Sequence, residues 1–415
     1  MKPDFMARAV VLASLTTASG AGWALEIDPN VLPEISFGGV AIPTVDARSQ
    51  RLWPGGTSSE KQINVSDSAL LLGFSKYLFA QNNYGYAAFG LRLPDDDTDF
   101  KDDMFVHQFH AGVGGKNYDV KLGRTRLPNT LIIFPTVRDE DLLDFTYVQN
   151  GQSNARTELY HIFGNVAQAT YWLTPYLSVA AAAVGWTETD PADLVTNPRK
   201  STAELNGAAL TLAYDQPEAI KFDRGLRYAG VSVNYQNLDA LGTSPGDRKT
   251  AVIGALTYNF SNDPQRTLVL DLQGIWDGGA QVNALTDPYQ RARAKSRAVA
   301  AALRYGHRPA LQTRWQAALT AAWKEYDEFG GASAFAIAPS LAYRLGSGVD
   351  LVAQYLYRDN DSALAAATGV NRDQRILLGL KFSFDFTLNE SVGERGSILN
   401  LERNMTNYGP VSPGH

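Results

Sequence analysis

The chain has 415 residues, 37 basic and 43 acidic, for a formal net charge of −6, and it contains no cysteine. The acidic balance argues against a nucleic-acid partner, which calls for a basic surface. Without cysteine there is no disulfide scaffold, no thiol catalysis and no haem attachment through CxxCH.

The first predicted element is a secretory signal peptide over residues 1–24. Lys2 and Arg8 give a positive start, Ala9–Leu15 a short apolar stretch, and Gly22 and Ala24 the small-residue cleavage site. Ala21 offers an alternative site. A membrane anchor would need about 20 apolar residues, and Thr16, Thr17 and Ser19 interrupt this run. Cleavage before Leu25 leaves 35 basic and 42 acidic residues, a net charge of −7.

The mature chain then breaks into strand-like runs divided by turn residues. Sixteen are predicted, near 34–43, 66–79, 84–94, 104–115, 117–126, 156–173, 176–187, 202–214, 226–238, 248–260, 267–277, 294–306, 311–324, 333–345, 348–360 and 374–386. The sixth contains Gly164-Asn165, a hairpin-turn pair that would split it and make seventeen. Connectors alternate in length. Short ones include 81–83, 116–117, 174–175, 262–265 and 346–347; long polar ones include 45–62, 95–103, 128–155, 188–201, 239–249, 278–293 and 362–373. Only 215–225 is too long for the short rim.

Strand interiors present two environments. In the thirteenth, Trp315, Ala317, Leu319, Ala321 and Trp323 share a face opposite Arg314, Gln316, Thr320 and Lys324. In the last, Ile376, Leu378, Leu380, Phe382, Phe384 and Phe386 oppose Arg375, Lys381 and Asp385. At about 3.3 Å per residue and a tilt near 40°, the two tryptophans lie roughly 20 Å apart, the spacing of two aromatic girdles. Sixteen such strands behind a signal peptide predict an all-β fold. It is a transmembrane antiparallel β-barrel over 25–386, whose closure satisfies every backbone group in lipid and leaves an aqueous lumen.

The connector 128–155 is too apolar for an exposed loop. Leu131, Ile132, Ile133, Phe134, Leu142, Leu143 and Phe145 need a surface to pack on. The expectation is that it folds into the barrel and narrows it. Its charged residues Arg138, Asp139, Glu140, Asp141 and Asp144 would then face cations that strand parity puts on the wall: Arg92, Lys121, Arg304, Arg314, Lys324, Arg344, Arg358, Arg375 and Lys381. Acids on a loop opposite bases on a wall set up a transverse field that sorts ions and orients dipolar solutes. Placeable lumen cations outnumber placeable acids, which leans toward anions.

Leu122-Gly123-Arg124, just before that connector, and the closing strand with Gly379, Phe382, Phe384 and Phe386 together resemble the general porins of Gram-negative outer membranes. The resemblance implies sixteen strands with a constricting third loop, a homotrimer, and delivery by the barrel-assembly machinery. It also implies that Arg124 joins a basic cluster at the constriction. Strict alternation puts Arg124 on the lipid face with Val120 and Leu122, so a bulge at Gly123 is expected. The family usually stops at the terminal phenylalanine, whereas here 387–415 follow as an expected periplasmic tail.

The expected function is a passive outer-membrane channel for small hydrophilic solutes and ions. The alternatives are a selective channel for anions or acidic sugars, and a barrel enzyme or scaffold. No HExxH or Walker motif occurs, and His107 and His110 point to opposite faces of a strand. No catalytic residue, metal site or cofactor is therefore expected.

Overall fold

The computed structural model of the chain describes residues 33–65, 68–78, 83–92, 105–128, 130, 132, 134–137, 163–187, 203–216, 224–237, 248–263, 265–279, 294–307, 314–327, 330–346 and 348–388. The strands open with β1 (Glu34–Ala41), β2 (Thr44–Leu52), β3 (Thr57–Asn64), β4 (Ala69–Leu78), β5 (Asn83–Arg92) and β6 (Phe105–Gly114). Next come β7 (Tyr118–Arg126), β8 (Phe163–Trp172), β9 (Leu177–Thr187), β10 (Ala203–Asp215), β11 (Gly225–Asn237) and β12 (Arg248–Asn259). The last are β13 (Arg266–Asp277), β14 (Ser296–His307), β15 (Trp315–Tyr326), β16 (Ala332–Gly346), β17 (Val349–Asn360) and β18 (Val370–Leu388). One short helix, α1 (Ser362–Thr368), precedes β18.

These eighteen segments form one closed antiparallel sheet of sixteen staves. The first four segments are two broken staves. β1 and β2 keep one register with β18 across the break between them, Ala41 opposite Phe382 and Thr44 opposite Gly379, and a shift follows only at Val370–Arg372. The interruption falls at Ile42-Pro43, where proline has no N–H to give the ladder. Pro43 still accepts from the Leu380 amide at 3.1 Å. On the other edge, β4 pairs with β1 and β3 with β2. Each later strand pairs with its neighbours in sequence, and β18 meets β1 and β2 to close the wall.

The alternation does the sorting. β14 reads SRAVAAALRYGH with Val299 and Leu303 exposed while Ala298, Ala300 and Ala302 are buried. The outward rows of the whole wall collect the large exposed side chains, among them Leu72, Phe89, Leu122, Leu210, Val231, Leu272, Leu319, Leu341, Ile376 and Phe384. Such a continuous apolar surface would be a liability in water, and on a closed wall it is the lipid-facing belt. Trp276 and Trp323 mark one edge of it, and Tyr171, Tyr343 and the packed pairs Tyr258–Phe260 and Tyr305–Trp315 mark the other.

Several sequence expectations change. Residues 45–62 are not a loop but the upper halves of β2 and β3, joined by a turn at 53–56. They escaped the alternation test because TVDARSQRL and TSSEKQIN are polar on both faces, which suits a hairpin rising beyond the apolar belt. Gly164-Asn165 makes no turn; it lies inside β8 opposite Thr125 and Arg124, so the count stays even. Residues 362–373 hold α1 and the start of β18, and β18 runs on past Phe386 to Leu388. Helix α1 is capped by Asp361, which accepts from the Leu364 amide at 2.8 Å, and is ended by Gly369 at φ 74°. The signal peptide and the tail beyond 388 lie outside the described residues.

Candidate functional site: the strap and the lumen wall

β7 delivers the chain at Leu127 to the inside of the barrel, and the described part of 127–137 runs along the inner wall as a strap. Thr211 on β10 donates to the carbonyl of Pro128. The Thr130 amide donates to Ser232 Oγ on β11 at 3.3 Å, and its hydroxyl to the Ile253 carbonyl on β12 at 2.9 Å. The Ile132 amide donates to Gln273 Oε1 on β13 at 2.7 Å. On β16, Ser340 Oγ donates to the Pro135 carbonyl at 2.6 Å, and on β17 Gln354 Oε1 accepts from the Val137 amide at 2.5 Å. Each partner side chain stands on the inward row of its strand. A segment carrying bare backbone through a lumen needs such partners, and the wall supplies them.

Between those anchors the contact is apolar. Phe134 is fully buried in a cluster with Ala298, Ala300, Ala302, Ala322, Ala336 and Ala338, the inward rows of β14–β16. Only small side chains let a second layer of chain approach a strand wall this closely. Val137 packs with Val40, Ile42 and Val352 at the far end.

The predicted wall cations divide into groups. Arg304 is buried in an ion pair with Asp271, Nε–Oδ2 2.6 Å, and donates from Nη2 to Oδ1 at 2.9 Å; Thr257 donates to the same carboxylate at 2.8 Å. Arg344 is paired with Asp350 at 2.8 and 3.2 Å. Lys381 is buried and stands opposite Asp350 in the ladder; Arg375 is buried and stands opposite Arg48, which holds Asp373 at 2.5 Å. Lys324 is buried, its Nζ 5.0 Å from the centre of the Tyr326 ring. Lys121 is half-buried opposite Gly112 and Gln168, and Arg358 reaches Asn360 at 3.4 Å. Arg314 precedes β15 as an exposed residue at the strand's start, its amide donating to the His307 carbonyl at 2.9 Å. The Arg92 side chain and the whole of Arg138, Asp139, Glu140, Asp141 and Asp144 lie outside the described residues.

Two further expectations fail here. No bulge forms at Gly123: both ladders of β7 run through it without a shift, and Gly123 takes φ 121° instead. Arg124 stays opposite Phe109, which is 66% exposed on the outward row. The ladder therefore gives Arg124 no turn toward the lumen. The lean toward anions also loses its basis, because Asp46, Asp119, Asp271, Asp350 and Asp373 are buried on the inward rows beside the cations. The residues sequence reasoning missed are the strap's anchors, Thr211, Ser232, Gln273, Ser340 and Gln354. For Thr211 and Ser340 the signal was a hydroxyl on an inward row of mostly alanine and glycine; Ser232, Gln273 and Gln354 share their rows with other polar residues and carried no such signal. Among the described residues no group of three metal-ligating side chains comes together.

No protein-family model matches the chain, and no curated protein matches it. Solved structures do match. An anion-selective porin from Comamonas acidovorans superposes with a TM-score of 0.55 at 13% identity, over 85% of this chain and 100% of that one. The fold is that of the outer-membrane porins. The outer-membrane channel DcaP of Acinetobacter baumannii matches with a TM-score of 0.54 at 14% identity, over 87% of this chain and all of the other. Salmonella typhi OmpF, solved in complex with daunomycin, gives 0.52 at 14% over 84% of this chain and 97% of its own. At such identities the likeness to porins is one of architecture, and the strap and wall above must carry any statement about chemistry.

Proposed function

We propose that this porin-fold barrel is a passive outer-membrane channel for small hydrophilic solutes and ions, with no catalytic step. The observation that carries the reading is the strap. Its described residues are bonded to β10–β13, β16 and β17 around one side of the lumen, so they thicken that part of the wall, and this reading puts the path along the other part. A barrel of sixteen staves is otherwise wide enough for an aqueous channel.

The strap's last described anchor is Val137 on Gln354, and Gln354 stands opposite Leu377, between Arg375 and Lys381 along β18. Arg138, Asp139, Glu140 and Asp141 follow directly, with Asp144 soon after. In this reading those loop carboxylates leave the strap beside the Arg48–Arg375 and Lys381–Arg344 groups. The transverse field then lies between β17–β18–β2 and the loop. The pairing of Arg304, Arg344 and Arg48 with wall acids favours weak selectivity over a dedicated anion path. The chain reaches the outer membrane after signal cleavage, is inserted by the barrel-assembly machinery, works as a trimer with its apolar belt in lipid, and keeps 389–415 in the periplasm.

Liposome swelling tests the reading. Vesicles carrying the full chain should swell in isosmotic monosaccharide and progressively less in larger sugars. Folded barrels that admit no solute would overturn it. In a salt gradient, Arg375→Gln with Lys381→Gln should move the reversal potential toward cation preference; an unmoved potential would remove the proposed field.

A further inference from the structure

The part of the lumen wall that the described strap residues do not touch has its own construction. Its inward rows carry glycine at Gly73, Gly90, Gly112 and Gly114, and two tyrosines from β5 lie across the last two. A Cβ at Gly112 would sit 2.6 Å from Tyr86 Cζ and Oη; one at Gly114 would sit 2.4 Å from the same atoms of Tyr84. The rings therefore rest against a floor of bare backbone. Their centroids are 6.0 Å apart with planes at 40°, and His110 meets Tyr86 edge-on at 6.0 Å. Tyr86 is held in place by its hydroxyl, which donates to Asp119 Oδ1 at 2.8 Å.

Beside this aromatic ledge stand two rungs of hydrogen-bonding groups. Lys121 is opposite Gly112 and Gln168 opposite Lys121; Asp119 is opposite Gly114 and Thr170 opposite Asp119. Gln168 Nε2 donates to Thr170 Oγ1 at 3.1 Å, but its Oε1 is buried with no partner. His110 Nδ1 is likewise buried and unpartnered. Two orphaned polar atoms on one patch of wall are a mark of groups waiting for a ligand.

We propose that Tyr84, Tyr86, Asp119, Lys121, Gln168 and Thr170 form a solute subsite for a neutral polyhydroxylated ring, that is, a sugar. The negative face of an aromatic ring attracts the polarised C–H face of such a ring, and its hydroxyls both donate and accept. The wall answers with donors (Lys121, Thr170) and acceptors (Asp119, Gln168 Oε1) at one level of the barrel. A small apolar solute would leave Gln168 Oε1 without a partner, and a multivalent anion would meet Asp119. The subsite rests on the channel reading above, since it needs a solute path past β5–β8. The competing structural account is that Tyr84 and Tyr86 merely cover glycines and stiffen the sheet. That account gives Gln168 Oε1 no part.

The test uses the full chain, purified and folded, with maltotriose as probe and polyethylene glycol of matched hydrodynamic radius as control. Folding of each variant is checked by its heat-modifiable gel mobility. In planar bilayers maltotriose should interrupt the current at concentrations where the glycol does not. Gln168→Leu should raise the half-blocking concentration about tenfold, and Tyr86→Ala further. Equal block by sugar and glycol, or a block unchanged in Gln168→Leu, would overturn the subsite while leaving the channel standing. Should the barrel pass no current, the channel reading falls. Calorimetric titration of the same sample then decides the subsite: heat with maltotriose that is lost in Gln168→Leu supports it, and no heat removes it.

Discussion

Replacing Phe134 with alanine probes the strap at its one fully buried aromatic. The side chain lies among wall alanines whose Cβ atoms are fixed on ladder-bonded strands, so they cannot close over the void. Phe→Ala in a core costs about 3–5 kcal/mol, and a site unable to relax belongs in the upper part of that range. The staves keep their own ladders, so the loss falls on strap docking and not on the barrel. At about 1.4 kcal/mol per decade, the undocked strap becomes roughly three orders of magnitude more populated. Single-channel recording should then show a larger or visibly noisier current. Phe134→Leu, which keeps most of the volume, should cost under about 1.5 kcal/mol and stay close to the parent. A folded Phe134→Ala barrel with the parent's current level and noise would refute the claim that the strap is held by this packing and lines the path.

Gly123→Ala should destabilise the barrel, because φ is 121° there and a Cβ would lie 2.3 Å from the Phe109 carbonyl oxygen. About 1–3 kcal/mol is expected from the backbone strain alone, read as a lower urea midpoint for unfolding from lipid; an unchanged midpoint would contradict the geometry. Asp271→Leu should cost about 3–5 kcal/mol by stranding the buried Arg304 charge, and the double change with Arg304→Met should recover most of it. A double mutant no better than the single would show the pair is not the cause. Asp327, in the turn after β15, is held below its ordinary 3.8, first by the hydrogen bond from Lys295 and then by the nearby Arg297 charge. A folded pKa below the unfolded one makes this contribution complete above the unfolded value and lost as pH falls through the folded one. A carboxyl NMR titration of Asp327 should have its midpoint below 3.8, and a midpoint at or above it would refute the ion cluster.

Much of the wall was legible because a barrel stave repeats one local rule. Wherever lipid lies on one side and the lumen on the other, period-two alternation is forced, as in WQAALTAAWKEY and RILLGLKFSFDF. The rule goes silent where both sides are wet, which is why the β2–β3 hairpin read as loop. It also cannot see pairing partners: Gly164-Asn165 has turn chemistry, but Arg124 and Thr125 occupy its ladder. The strap was legible from its composition, since Ile132 and Phe134 had to be covered. Its anchors were not, because Thr130 finds Ser232 and Val137 finds Gln354 only once the barrel has closed. The bulge expected beside Arg124 is absent for a plainer reason. A glycine at positive φ can absorb local twist without shifting register, so the expected bulge was one of two ways to use Gly123.

The central claim is an open aqueous path through a strap-narrowed barrel. Single-channel recording of the purified full chain in a planar bilayer tests it most directly. The account predicts discrete, long-lived current steps of uniform size that scale with salt concentration. A correctly folded, membrane-inserted barrel that yields no steps would contradict it.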